Sequence, residues 1–427
     1  MNSRIALTLA LCLSVFSCGK KSDVVELQNW NFGGLPQQTA FLRERVAEFN
    51  RTHPGVEVTQ SDKSWYMIRE ILYASFAAGA GPDVMNTHAN YAAEFSQAGY
   101  YYPINQFPDF PQVRQWFVPR LMESTEYRGN CYGLPANAIA FVLCCNQELF
   151  DRAGIAPPKT WSEFRAAARR LTRDTDGDGV VDQYGLVLMG GDKGGFAYRL
   201  IPFFYKAGAD VMSPDLNRIE FNSPRGVAAL QLFADMYQQD HSITPGFLAY
   251  THSELSDLFA NNKAAMSIEG PWFRRMIEDK VPGKGMYVVP VPVPDDRIAE
   301  YDTAPTLQDL VMYSINARSK HPQEAWELLK FLRNPESDQF WVTEDLGALA
   351  CTTSALQSPA AAKVPHLPVY LSELKHARPW PAHPQITAIA GNVFTPECLK
   401  AIVGELSAQA ALDRAAREAQ RMIDEHR

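Results

Sequence analysis

Residues 24–86 decide the fold class: VVELQNWNFGGLPQQTAFLRERVAEFNRTHPGVEVTQSDKSWYMIREILYASFAAGAGPDVMN. Residues 24–30 are β-branched and apolar, the composition of a strand. Leu42, Val46 and Phe49 then fall at i, i+4 and i+7, one face of a helix. His53-Pro54-Gly55 stops that helix, and Val56-Glu57-Val58 alternates as a second strand. A second helix is predicted over 66–78, ending in Gly79-Ala80-Gly81-Pro82, and 83–86 starts a third strand. Strand and helix alternating at this spacing predict an α/β domain with a mostly parallel sheet.

The same punctuation continues outward. Thr160 and Glu163 have capping-box spacing, so a helix opens there. Ser223-Pro224 places an N-cap serine before a proline at the first helical position. The apolar face behind it is Leu230, Phe233, Ala234 and Tyr237; Ala325, Leu328, Leu329 and Leu332 form another. Leu412, Ala415, Ala416, Ala419, Met422 and Ile423 form the last, on an alanine-rich C-terminal helix. Prolines 290, 292 and 294 alternate with valines in a stiff, extended segment that reads as an inter-domain crossover. No internal repeat is evident.

At the other end, Arg4 precedes an apolar run over 5–16, shorter than the roughly 20 residues that span a hydrocarbon core, so it reads as a secretory signal. Val15-Phe16-Ser17-Cys18-Gly19 resembles a bacterial lipobox, with Cys18 as the lipidated residue and 19–23 as a polar tether. Beyond it no stretch is apolar enough for a membrane span, which predicts a body in water. A length of 427 residues favours two or more domains, and 46% hydrophobic with 21% charged residues suits a full core. A net charge of −8 without a basic stripe argues against nucleic acid as a partner, since that binding rests on phosphate neutralisation. Downstream of the leader stand Cys131, Cys144, Cys145, Cys351 and Cys398, an odd set that cannot pair completely and matches no zinc spacing. Cys144 and Cys145 sit in the apolar run 138–145, read as one buried strand that sends them to opposite faces. A disulfide from Cys131 is left open.

Seven stretches, in order, resemble the maltose-binding-protein-like solute-binding proteins of ABC sugar importers. They are AAGAGPDV at 77–84, YGLP at 132–135 leading to NQELF at 146–150, and APPKTWSEF at 156–164 followed by DQYGL at 182–186. FNSP at 221–224, AAMSIEGPW at 264–272, AWELLKFL at 325–332 and the helix from 410 onward complete the set. The resemblance implies a two-lobe clamp of the periplasmic-binding-protein kind, each lobe an α/β sheet flanked by helices and joined to the other by hinge strands. Carried over, the first lobe is 24–137 plus 305–345 and the second 138–300 plus 350–427. It also implies a receptor that captures a sugar in the inter-lobe cleft and delivers it to the importer's membrane subunits; a monomer without a cofactor suffices for that work, and the lipobox adds a membrane anchor.

In open α/β sheets the ligand lies beyond the carboxyl ends of the strands, which points at Trp30 and Asn31 and at Thr87, His88, Asn90 and Tyr91. A sugar needs flat aromatic faces for its C–H surfaces and planar amides or carboxylates for its hydroxyls. Trp272 matches a family tryptophan that stacks on sugar and ranks first. Trp65, Tyr198, Gln308, Asp309 and Trp380 are further candidates, with Asn137 facing the cleft from the first hinge. Glu269 is either a cleft carboxylate or half of an ion pair.

Residues 174–182 have the spacing of a calcium loop: Asp174, Asp176, Asp178 and Asp182 at positions 1, 3, 5 and 9, Gly177 at the turn and the Val180 carbonyl at 7. Gly185 stands where the closing glutamate belongs, so a structural calcium and a plain solvated turn are both open. The competing classes are a secreted carbohydrate-active enzyme, which needs two flanking carboxylates, and the same fold binding a polyamine, an iron complex or a glycerophosphodiester. No G-x-S-x-G, H-E-x-x-H or Walker loop is present.

Overall fold

The computed structural model describes residues 24–344 and 346–426; the signal and lipidation site expected within 1–23, Cys18 included, lie outside the described residues. Two sheets organise two lobes. The first takes strands in the order Arg378–Pro379, Leu307–Ile315, Val84–His88, Val25–Phe32, Val56–Lys63, with Leu134–Ala140 on the other side of Leu307–Ile315. The second runs Met286–Val289, Val142–Asn146, Ala264–Glu269, Tyr184–Leu186. The opening stretch folds as read: Val25–Phe32 pairs in parallel with both Val56–Lys63 and Val84–His88, and Pro36–Thr52 buries Leu42, Val46 and Phe49.

The first sheet is mostly parallel as expected, in three of its five pairings among the described residues, whereas the second departs from that expectation. Leu307–Ile315 runs antiparallel to both Val84–His88 and Leu134–Ala140. In the second lobe Val142–Asn146 is antiparallel to both neighbours, and only Tyr184–Leu186 pairs in parallel. The cause is that Val142–Asn146 enters from the other lobe rather than through a helical crossover, which parallel neighbours require. For the same reason 138–145 is not one strand. Phe141 divides it into Leu134–Ala140 of the first sheet and Val142–Asn146 of the second.

Phe141 is thus the first crossing. The return crossing enters at Leu307, and the two are tied together: Phe141 N–H donates to the Leu307 carbonyl at 3.4 Å and Thr306 Oγ1 to the Phe141 carbonyl at 2.9 Å. Arg378 N–H donates to the Thr306 carbonyl at 2.8 Å, bringing a third segment alongside. The alternating prolines are not the crossover. Their valines, which keep N–H groups, pin the segment to the second lobe: Val293 N–H donates to the Lys159 carbonyl and accepts at its own carbonyl from Trp161 N–H. The stretch expected to open the second lobe at 350 belongs with the first. Leu349 bridges Ala138, Thr352 bridges Phe117, and Arg378–Pro379 adds to the first sheet.

Helix starts follow their sequence signals. Thr160 and Glu163 form the reciprocal box on Trp161–Leu171, and Ser223 accepts from Gly226 N–H at the head of Pro224–Gln238. The Pro322–Arg333 helix buries Ala325, Leu328, Leu329 and Leu332 on the first lobe. The closing Ala408–Asp424 helix packs on Pro224–Gln238 of the second. Leu367–His376 straps both: Arg120 of the first lobe donates to the carbonyls of Lys375 and of Ala377 just past the helix, while Lys206 of the second meets Glu373 at 2.9 Å with both side chains buried. All five body cysteines are free and buried, Cys131 included, and burial pushes each thiol up. No helix among the described residues is long and apolar enough to cross a membrane.

Candidate functional site

The sheets meet at an aromatic cluster built from both lobes. His88, the last residue of Val84–His88, is met edge-on by Trp65 with ring centres 4.6 Å apart and stacks on Tyr198 at 5.4 Å. Tyr198 comes from the second lobe, on Lys193–Ala207, and is met edge-on by Trp380 at 5.3 Å. It also stacks on Phe141 at 5.8 Å, so the hinge residue is part of the cluster. Phe141 meets the edge of Trp272 at 5.8 Å and 78°. Tyr91 closes on His88 at 5.9 Å. Rings at these separations supply the apolar planes a ligand's C–H faces need.

Polar groups are set between the rings. Asp309 Oδ2 lies 2.7 Å from His88 Nδ1, fixing the imidazole plane. Asn90 Nδ2 donates to the Tyr198 hydroxyl at 3.0 Å, a bond from lobe to lobe. The amide oxygens of Asn90 and Asn137 are buried without a protein partner among the described residues, two acceptors suited to ligand hydroxyls. Burial holds the Tyr91 and Tyr198 hydroxyls protonated, with Asp309 adding to the effect at Tyr198.

Strand alternation decides which candidates share this face. Asn137 opposes Val311, which also opposes His88, and Asp309 lies two residues along the same strand. Gln308 therefore points to the other side of the sheet, where its Nε2 donates to Ser124 Oγ at 2.7 Å. Thr87 is likewise turned inward, bonded to the Tyr101 hydroxyl at 2.7 Å. Trp30 is half-buried, with Lys63 over its ring at 4.6 Å, and Asn31 donates to Asp62 at 2.9 Å. The ring contacts and hydrogen bonds among the described residues join neither to the cluster; Lys63 and Asp62 of the neighbouring strand engage them instead.

Four contributors, Phe141, Arg199, Tyr66 and His252, were not singled out from the sequence. Phe141 was hidden in an unbroken apolar run. Arg199 and Glu269 form a buried bidentate pair, Nε to Oε1 at 2.9 Å and Nη2 to Oε2 at 2.6 Å, which settles Glu269 as half of an ion pair. An arginine inside the apolar helix 196–207 was the available signal, since a buried cation needs a partner. Burial pushes the Glu269 carboxyl up and Arg199 opposes it. Tyr66 and His252 meet across the lobes at 3.0 Å, and His252 stands at the first position of the His252–Ala260 helix, behind the Thr251–Glu254 capping box.

In the acidic loop Asp174, Asp176 and Asp178 bring one carboxylate oxygen each within 4.8 Å of one another. Asp182 does not join them: it accepts from Thr175 N–H at 3.0 Å and from Lys263 at 3.1 Å. The Asp174 carboxylate is committed to Gly177 and Gly179 N–H groups, which hold it below the usual carboxylate range.

Comparison with known proteins places this architecture. Residues 33–339 match the family model described as bacterial extracellular solute-binding protein. The maltotriose-binding protein of Pyrococcus abyssi is 22% identical over 366 residues, covering 84% of this chain and 74% of its own. The galactooligosaccharide-binding protein of Bacillus subtilis is 24% identical over 435 residues, covering 98% and 96%. The crystal structure of an ABC transporter solute-binding protein from Thermotoga lettingae, bound with α-D-tagatose, superposes with a TM-score of 0.82 at 22% identity, covering 93% of this chain and 100% of that one. That likeness carries the two-lobe fold. With the family match spanning most of the sequence, the chain belongs to the bacterial extracellular solute-binding proteins.

Proposed function

We propose that this protein is the solute receptor of an ABC importer, capturing a sugar or short oligosaccharide between its lobes and presenting it to the membrane subunits. The observation that carries this reading is the cluster of Trp65, His88, Tyr198, Trp380, Phe141 and Trp272, drawn from both lobes and interleaved with Asp309, Asn90 and Asn137. Aromatic planes alternating with neutral amides are what a polyhydroxylated ring requires, whereas a polyamine would need unpaired carboxylates. The relatives named for maltotriose and galactooligosaccharide support the same ligand class.

Binding rather than turnover is favoured by the carboxylates. Asp309 is committed to His88 and Glu269 to Arg199, so neither of these two carboxylates is free to flank a glycosidic bond. Ligand touching both lobes would favour the closed state over the open one, the differential affinity that closure requires. We assign the protein to the exported side of the inner membrane as a monomer, tethered through Cys18.

The test is thermal unfolding against mono- and oligosaccharides, polyamines and ferric complexes. A sugar present at a hundred times its dissociation constant adds about 2.7 kcal/mol to native stability and raises the midpoint. A rise with spermidine or a ferric complex but with no sugar would overturn the reading, and so would steady turnover of a sugar.

A further inference from the structure

His252 has both ring nitrogens committed, to different lobes. Its Nε2 lies 3.0 Å from Arg199 Nη2. A guanidinium only donates, so Nε2 is the acceptor and the proton sits on Nδ1. Nδ1 lies 3.0 Å from the Tyr66 hydroxyl, which belongs to the first lobe, and donates to it. Arg199 is itself fixed by Glu269 and by the Gly195 carbonyl at 2.8 Å, so the imidazole is held on a rigid buried support. The ring of His252 meets Trp272 edge-on at 6.1 Å and 73°, the same kind of contact that Phe141 makes at 78°. Trp272 is gripped by two ring contacts, one from the hinge and one from His252.

We propose that His252 is a positioning residue that couples lobe closure to the placement of the Trp272 ring, holding Tyr66 with one nitrogen while Arg199 fixes the other. The role of Trp272 as a ligand platform rests on the function proposed above; the Tyr66–His252 coupling does not. On closing, the Tyr66 hydroxyl reaches Nδ1 and pins the imidazole, and the imidazole edge limits the tilt of the indole. Burial beside Arg199 keeps this histidine neutral over the working pH range, with Asp192 and Glu269 as the other charges acting on Tyr66.

The experiment uses the ligand-free protein and two readouts, small-angle scattering for closure and the 5-fluorotryptophan resonance of Trp272, assigned with Trp272→Phe. Tyr66→Phe removes only the hydroxyl. His252→Gln keeps an acceptor for Arg199 and loses Tyr66, whereas His252→Asn keeps a donor where Nδ1 stands. One lost hydrogen bond shifts the closed-to-open ratio about fivefold. Tyr66→Phe and His252→Gln are expected to expand the particle alike, to move the Trp272 resonance, and to add nothing when combined; His252→Asn keeps the particle close to wild-type size but moves the resonance, because it removes the imidazole edge. Tyr66 makes no ring contact with Trp272, so a resonance unmoved by Tyr66→Phe overturns the coupling, as do additive effects in the double variant. Both readouts hold without a sugar, so failure of every sugar to bind would remove the platform reading and leave the coupling to stand or fall on them.

Discussion

Glu269→Gln removes one charge from the buried ion pair with Arg199 and keeps the side chain's size. Arg199 is 2% exposed and Glu269 fully buried, so water does not replace the lost partner. What remains to Arg199 is the Gly195 carbonyl and a neutral imidazole. Breaking a buried pair by removing one partner costs about 3–5 kcal/mol, most of it the stranded charge. A chain of 427 residues has an unfolding entropy of about 0.9 kcal/mol/K at its midpoint, so the melting temperature should fall by roughly 3–6 °C. The assay is calorimetry of wild type, Glu269→Gln, and the double variant Arg199→Met with Glu269→Leu. Replacing both charges by apolar groups strands neither, and the double variant should lose less than the single one. A single-variant loss under about 1 kcal/mol, or a double-variant loss equal to two single ones, would refute the reasoning.

Other expectations are simpler. Trp272→Ala should weaken sugar binding about 30-fold by titration calorimetry, since burying part of an indole face at about 25 cal/mol/Å² is worth roughly 2 kcal/mol. Burial beside Arg199 pushes His252 down to about 3 from an unfolded value near 6.5, so between those values the unfolded chain holds a proton the native one lacks. Stability from this group is complete above about pH 6.5 and falls by up to about 1.4 kcal/mol per unit as the pH drops toward 3, and His252→Gln should flatten that limb of the urea-midpoint profile. Cys131, Cys144, Cys145, Cys351 and Cys398 should resist a thiol reagent in the native protein at pH 8 and react on unfolding, because burial raises every one of these thiols.

What the sequence revealed was local, and what it concealed was long-range. Capping signals at Thr160 and Ser223 and the periodicity of Leu42, Val46 and Phe49 act within a few residues, and those helices stand where they were read. The hinge was not legible because Phe141 is as apolar as the strands on either side of it. Leu307–Ile315, the fully buried strand that carries Asp309, offers no alternation, since both its faces are covered. Proximity to a strand end proposed Trp30, Asn31, Thr87, His88, Asn90 and Tyr91 together, yet of these His88, Asn90 and Tyr91 reach the cluster and the other three do not. Whether a side chain faces the cleft is set by pairing register, which the sequence does not state: it turned Gln308 away and Asp309 inward. Tyr198 and Trp380, chosen for chemistry alone, meet at 5.3 Å because two distant segments pass the same crossing.

The central claim is a sugar held between the lobes by this cluster, and a crystal structure of the protein with the sugar that stabilises it most tests that claim directly. A sugar ring is expected within about 4 Å of the Trp272 or Tyr198 face, with hydroxyls donating to the Asn90 and Asn137 amide oxygens. A sugar seated elsewhere on either lobe, or touching one lobe only, would contradict it.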